Sequence, residues 1–223
     1  MTRDGTDAEH AARVRDLFED WARHGRGDRM AESHWPFARQ ALERLPLTPS
    51  SWFLDIGCGT GYAVCWAARA VHDGRAVGID VSEAMIARAR ACCVGLPNAD
   101  FHVAQFPTHH TLPAGRFDVI FSMETFYYFA DLDAALRETL RLLGPGGRFA
   151  CVVDYYGENP ASHGWPEDVG VPLHLLDSDG WRTAFLRAGF AEVTQDRLRL
   201  PPAETGEPWK TTAGSLLTLG VRA

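Results

Sequence analysis

Asp55, Gly57, Gly59, Gly61 and Asp80 carry the first chemistry that can be read from the sequence. The stretch FLDIGCGTGY puts three glycines in five positions directly after an apolar run. There a strand ends in a turn whose N–H groups and following helix N-terminus face a ligand. Several nucleotides use such a turn. The dinucleotide fingerprint G-x-G-x-x-G/A needs a small third residue beside the pyrophosphate, and counting from Gly57 and Gly59 that residue is Tyr62. The phosphate-cradling Walker pattern fails as well, since no Gly-Lys-Ser/Thr follows. Asp80, at the end of the next apolar run, is placed to accept from both hydroxyls of a ribose. Ser82 can cap the helix beyond it, which leaves Asp80 free for that task.

A second set of residues has acid, base and aromatic character. SMETFYYF holds Glu124, Tyr127 and Tyr128; DYYGENPASHGW holds Asp154, Tyr155, Tyr156, Asn159, His163 and Trp165; and the glycine-broken, polar segment HGRGDRMAESHW, residues 24–35, holds His34. Glu124 directly follows an apolar run and is the expected base or substrate-orienting group, with Tyr127, His34 and His163 as further catalytic candidates. Tyr128, Asp154, Tyr155, Tyr156, Asn159 and Trp165 are the expected substrate contacts. Rings interleaved with carboxylates suit a cationic amine. His109 and His110 are expected at the surface. The cysteines, Cys58, Cys65, Cys92, Cys93 and Cys151, are odd in number and lack zinc or redox spacing, so reduced structural thiols are expected and no metal ligand is assigned.

Positioning these groups requires elements, and the periodicity supplies them. Val14, Leu17, Phe18 and Trp21 recur at helical spacing, as do Ala38, Ala41, Leu42 and Leu45, with Pro36 near the start of that second helix. From residue 51 short strands alternate with helices: SWFLDI, GYAVCWAARAV, RAVGID, SEAMIARARACC, DFHVAQ, FDVIFSM, LDAALRETLRLL and GRFACVVDYY. That alternation predicts a doubly wound α/β fold, a parallel sheet with helices on both faces. Asp131 is the expected cap of LDAALRETLRLL, which stops at Gly144-Pro145-Gly146-Gly147. A helix stripe at Trp181, Ala184, Phe185 and Ala188 and two strands, at about 190–198 and 215–223, complete the chain.

The combination Asp-x-Gly-x-Gly-x-Gly, Asp80, FDVIFSME and LLGPGGRF resembles the class I S-adenosylmethionine-dependent methyltransferases over residues 51–154. LLGPGGRF is similar to that family's Leu-x-Pro-Gly-Gly signature. The resemblance implies a Rossmann-like, mostly parallel seven-stranded sheet with the last strand antiparallel. It also implies that S-adenosylmethionine is consumed and S-adenosylhomocysteine released. Under it, Gly57, Gly59 and Gly61 lie beneath the methionine and ribose, Asp55 near the amino group, Asp80 at the ribose, and Val81 and Met85 against the adenine. Gln105 and Phe106 stand where the family often has an Asp and a small residue, and Ser122 and Met123 face the methionine tail. The implied division is an N-terminal helical lid (1–48), a cofactor-binding core (51–154), a substrate-lid loop (155–176) and a C-terminal helix with two strands (177–223), all in one domain.

The expected reaction is direct displacement of the methyl group onto a nitrogen or oxygen nucleophile of a small molecule. Relatives that methylate adenine or glutamine carry Asn/Asp-Pro-Pro-Tyr/Phe where this chain has SMET, and the formal net charge is −7, so nucleic acid is not an expected partner. A polar N-terminus and the lack of a long apolar run lead to the expectation of a cytoplasmic protein without a membrane partner. Two alternatives stay open at this level: a non-catalytic module that binds S-adenosylmethionine for regulation, and a nicotinamide oxidoreductase.

Overall fold

The runs WFLDI, RAVGID and FDVIFSM are apolar along most of their length, which suits strands covered on both faces, whereas AEVTQDRL is mostly polar, as suits a sheet edge. A computed structural model describes residues 3–223 and shows such strands. In chain order the elements are α1 (Arg3–Arg23), α2 (Arg26–Leu42), β1 (Trp52–Ile56), α3 (Tyr62–Ala70), β2 (Arg75–Asp80), α4 (Glu83–Cys92), β3 (Ala99–Val103), β4 (Phe117–Met123), α5 (Leu132–Leu142), β5 (Leu143–Val153), α6 (Trp165–Val169), α7 (Ser178–Ala188), β6 (Ala191–Leu198), α8 (Pro208–Thr211) and β7 (Ser215–Val221). The seven strands form one sheet in the order β3-β2-β1-β4-β5-β7-β6. β1 to β5 pair in parallel, and β7 runs antiparallel between β5 and β6.

Two cores flank the sheet. On one face α2, α3 and α4 bury Phe37, Leu42, Val64 and Ile86 against Phe53, Val119 and Phe121. On the other, α5 and α7 bury Leu136, Trp181 and Phe185 against Ile120 and Phe149. This is the layered arrangement that βαβ alternation predicts. Its consequence is positional, since the carboxyl ends of β1, β2, β3 and β4 all open on one edge.

Local signals in the sequence explain most element boundaries. Ser82 accepts from the Met85 N–H at 3.1 Å and caps α4, and Asp131 accepts from the Ala134 N–H at 2.8 Å and caps α5. Two boundaries differ from expectation. Residues 24–35 are not a loop: only His24 and Gly25 interrupt the helices, and α2 runs from Arg26 with Pro36 in its interior. Polar residues on its outer side gave this helix a loop-like composition. Also, α5 stops at Leu142, before the glycines, because Leu143 already pairs with Phe117 as the first residue of β5.

The expectation of reduced thiols is corrected at one pair. Cys65 of α3 and Cys93 after α4 form a disulfide across helices whose Cα atoms there lie 5.4 Å apart. Cys58, Cys92 and Cys151 are free. Among the described residues no helix is long and apolar enough to cross a membrane.

Candidate active site

Gly57 and Gly61 shape the turn after β1 for different reasons. Gly57 has φ of +75°, and a Cβ there would enter the Thr125 side chain. Gly61 has φ of +82°, and its Cβ would come within 2.8 Å of Ala89 and 2.9 Å of Phe101. Side chains at these positions are thus excluded both by conformation and by space. Above Gly59 there is open space, so a ligand can lie directly on the backbone.

Asp80, the last residue of β2, holds this turn in place. One carboxylate oxygen accepts from the Gly59 N–H at 2.9 Å and the other from the Ser82 N–H at 2.9 Å. Each oxygen retains a further lone pair for a ligand hydroxyl. Burial pushes the Asp80 carboxyl up to about 6, against the opposing pull of those N–H groups. Asp55 lies buried beneath the turn, its carboxyl raised by burial and then by the neighbouring Asp80.

The turn opens into a cavity of about 500 Å³ along the carboxyl edge of the sheet. Gly57, Gly59, Asp80, Val81, Met85, Gln105, Phe106 and Met123 line it, as do His34, Glu124 and Tyr128. The sequence expectation placed all of these around one ligand pair. Gln105 sits in a short bridge with His109, and Phe106 stacks on His110 with ring centroids 5.4 Å apart. His110 is not a surface residue, as its side chain is 5% exposed and its Nε2 lies 3.0 Å from Glu138 Oε1. His109 is exposed, as expected, and stands at the edge of the cavity.

Glu124 is the most constrained group in the site. It adopts φ of +56°, a region L-residues seldom occupy, and is 6% exposed. The Tyr127 hydroxyl donates to its Oε2 at 2.6 Å, and the Asp154 N–H donates to its Oε1. Burial raises the Glu124 carboxyl well above the ordinary carboxylate range, and Asp154 adds to the rise. Asp154 is itself raised to about 6, chiefly by burial. His34 is lowered to about 4 by burial and by the charge of Lys210, so its imidazole is neutral at neutral pH. The acceptor atoms of His34, Glu124 and Asp154 lie within 4.8 Å of one another. The sequence reading assigned no metal ligands, and these three residues are the one candidate set among the described residues.

Several expected contacts lie elsewhere. Ser122 donates to the Ile56 carbonyl at 2.7 Å and ties β4 to β1, away from the cavity lining. The Tyr156 hydroxyl donates to the carbonyls of Ala213 and Gly214 at 3.0 Å, which makes it an anchor for the approach to β7. Tyr155 is buried against Tyr127, and Trp165 stacks on Tyr155 at 6.3 Å. Asn159 donates to the Asp154 carbonyl at 2.8 Å, and His163 Nε2 lies 3.4 Å from the Tyr156 carbonyl oxygen. The 155–176 segment therefore braces the floor behind Glu124 rather than lining the cavity, because its aromatic rings find apolar cover below the sheet edge.

In their place α1 and α2 cover the opening. His10, Ala11, Val14 and Phe18 of α1 and Gly27, Met30, Ala31 and His34 of α2 line the cavity. The sequence led to the expectation of an N-terminal helical lid, with Val14, Leu17 and Phe18 marking its first helix, but nothing in it marked Gly27, Met30 or Ala31 as lining residues. Thr60 and Thr125 are further lining residues that no motif marked.

The lining includes the carboxylates Asp7, Asp80, Glu124 and Asp131 but neither Lys nor Arg. A pyrophosphate would meet no Lys or Arg in this lining. A sulfonium with an ammonium-bearing tail and a ribose suits the same lining, with Asp80 at the hydroxyls and backbone at the tail.

Comparison with known proteins agrees with this geometry. Residues 54–151 match the methyltransferase domain family. The chain is similar to one from the complex between the Haloferax volcanii Trm112 methyltransferase activator and a methyltransferase, with 34% identity, a TM-score of 0.83, and coverage of 92% of this chain and 97% of that one. It is 31% identical over 166 residues to phosphoethanolamine N-methyltransferase 1 of Arabidopsis thaliana, covering 71% of this chain and 33% of that protein. It is 30% identical over 145 residues to demethylmenaquinone methyltransferase of Symbiobacterium thermophilum, covering 62% and 58%. The chain thus spans about a third of the plant enzyme's length.

Proposed function

Because the chain belongs to the class I S-adenosylmethionine-dependent methyltransferases, we propose that it transfers the methyl group of S-adenosylmethionine to a nitrogen or oxygen nucleophile of a small molecule. The observation that carries this reading is the single cavity shared by the glycine turn, Asp80 and Glu124. S-adenosylmethionine supplies an already activated methyl group, so the protein's work is alignment, desolvation and proton removal.

In this reading Asp80 accepts from the ribose hydroxyls, Gly57 and Gly59 give the tail access to the backbone, Gly61 allows the close packing of the turn on Ala89 and Phe101, and Asp55 lies beneath the turn near the tail. Val81 and Met85 cover one side of the adenine, and Gln105 accepts from its amino group. Met123 closes the tail end. α1 and α2 form the lid that keeps water out, and His34 and Tyr128 wall the acceptor side. Glu124 takes the acceptor's proton. The lining's charge also disfavours a nucleic acid, whose phosphates would find no cation there.

The deciding experiment titrates the purified protein calorimetrically with S-adenosylhomocysteine and, in parallel, with NAD. Binding of the homocysteine nucleoside but not of NAD is expected, followed by its release as product when S-adenosylmethionine and an acceptor panel are supplied. Preference for NAD would replace this reading with the oxidoreductase one. Binding without transfer to any acceptor would favour the regulatory module.

A pH dependence follows from Asp80. Its carboxyl titrates at about 6 in the free protein and must be ionised to accept from both hydroxyls. As pH falls through that value the competent form is depleted, so affinity for S-adenosylhomocysteine is expected to be about tenfold weaker at a pH one unit below it than at neutral pH. Calorimetry across that range checks the slope, and a flat profile would rule out Asp80 as the titrating group.

A further inference from the structure

We infer that the acceptor entering beside Glu124 is an unphosphorylated primary or secondary amine, bound as its ammonium ion. This rests on the cofactor reading above and names the substrate class it left open.

Three observations converge on a small cation. First, His34, Glu124 and Asp154 come from α2, the end of β4 and the end of β5, yet their acceptor atoms lie within 4.8 Å of one another. Acceptors around one nitrogen with hydrogen bonds of about 2.8 Å stand about 4.6 Å apart, so a primary ammonium, with three N–H donors, can reach all three and a secondary one can reach two. Second, Asp154 is 3% exposed, and its Oδ1 is sealed from solvent with only the equally buried Ser215 hydroxyl beside the carboxyl. A buried carboxylate oxygen left in that state is costly, and an ammonium N–H supplies what it lacks. Third, Tyr62, Tyr128 and Phe18 line the same cavity and offer π faces to a cation and cover to its apolar body.

The surrounding positive charges are already engaged. Lys210 Nζ sits 2.5 Å from Glu207 Oε1 and 3.0 Å from Ser33 Oγ, and the Arg26 guanidinium lies 3.7 Å above the Trp21 ring. Neither residue lines the cavity. The charge of Lys210 reaches His34 and Asp154, but its ammonium is held by Glu207 and Ser33 outside the lining, so an acceptor bearing phosphate would meet Glu124 and Asp154 with no Lys or Arg in the cavity wall. Here the chain parts from its plant relatives, whose names specify phosphoethanolamine.

The reaction balances without another reagent. One ammonium proton passes to the Glu124 carboxylate, which the Tyr127 hydroxyl and Asp154 N–H keep aimed at the acceptor. The neutral amine then turns so that the lone pair that faced Glu124 points at the methyl carbon; it forms the N–C bond as the sulfonium C–S bond breaks, and that bonding pair remains on sulfur as the thioether. The product leaves as the methylated ammonium.

The test is a thermal-shift and calorimetric screen of protein saturated with S-adenosylhomocysteine. The probes are a panel of primary and secondary amines that includes butylamine, benzylamine and phenethylamine, set beside phenethyl alcohol, phosphoethanolamine, Zn²⁺ and Mn²⁺. At least one amine is expected to bind and, with S-adenosylmethionine, to be methylated, while phosphoethanolamine does neither. Glu124→Gln should weaken that amine at least tenfold and leave S-adenosylhomocysteine within twofold; Asp154→Asn gives an independent second reading should Glu124→Gln fold poorly. Binding by no amine, a preference for phosphoethanolamine or the alcohol, or stabilisation by Zn²⁺ or Mn²⁺ in place of amines would overturn the inference while leaving the cofactor reading intact. Failure of S-adenosylhomocysteine to bind would remove the cofactor reading, and this inference with it.

Discussion

Asp80→Ala binds S-adenosylhomocysteine at least about a hundredfold more weakly than the parent protein, because two charge-assisted hydrogen bonds to the ribose disappear together. Such bonds contribute about 1.5–3 kcal/mol each, and a total near 3 kcal/mol corresponds to roughly a hundredfold in affinity. The substitution has a second effect through the apo fold. Asp80 also accepts from the Gly59 and Ser82 N–H groups, so the glycine turn loses its tie to the end of β2. Part of the affinity loss then comes from a turn no longer held in its bound shape. Calorimetry with circular dichroism on the same sample separates the two: a folded variant with intact affinity would remove Asp80 from the ribose site.

The parts of this site that could be read in advance are those close in sequence. The turn at Gly57, Gly59 and Gly61, the end of β2 at Asp80 and the end of β4 at Met123 follow directly from apolar runs broken by glycine or acid. Chemistry placed at strand ends is legible because a parallel sheet puts those ends on one edge. The lid was less legible. Gly27, Met30, Ala31 and His34 share one face of α2, but HGRGDRMAESHW has the composition of a loop, and only packing reveals that Gly27 sits against Met85. Tyr155, Tyr156 and Asn159 misled in the opposite sense. Their types suit a binding site, yet the turn after β5 carries them into apolar cover or onto backbone groups. The disulfide is a third case, since Cys65 and Cys93, separated by 28 in sequence, meet only because α3 and α4 lie side by side.

Glu124→Gln is expected to lower kcat by about a hundredfold to ten-thousandfold while S-adenosylhomocysteine binds within twofold of the parent, the range that loss of a positioned general base produces. Glutamine keeps the size of the side chain and one carbonyl acceptor, and an amide carries no Brønsted basicity with which to take a proton. In the parent, burial and the nearby Asp154 raise the Glu124 carboxyl, so turnover rises with pH as that group ionises. That rising limb vanishes in the variant if Glu124 is the base. Orientation alone would leave a different signature: KM would climb, kcat would hold, and the limb would survive. Tyr127→Phe adds a positioning test, because its hydroxyl donates to Glu124 Oε2 at 2.6 Å and favours the ionised carboxylate. Without that donor the limb should shift to higher pH and persist, whereas a structural role for Tyr127 alone would lower stability without moving the profile. A Glu124→Gln enzyme with parental kcat would transfer proton removal to solvent or to His34.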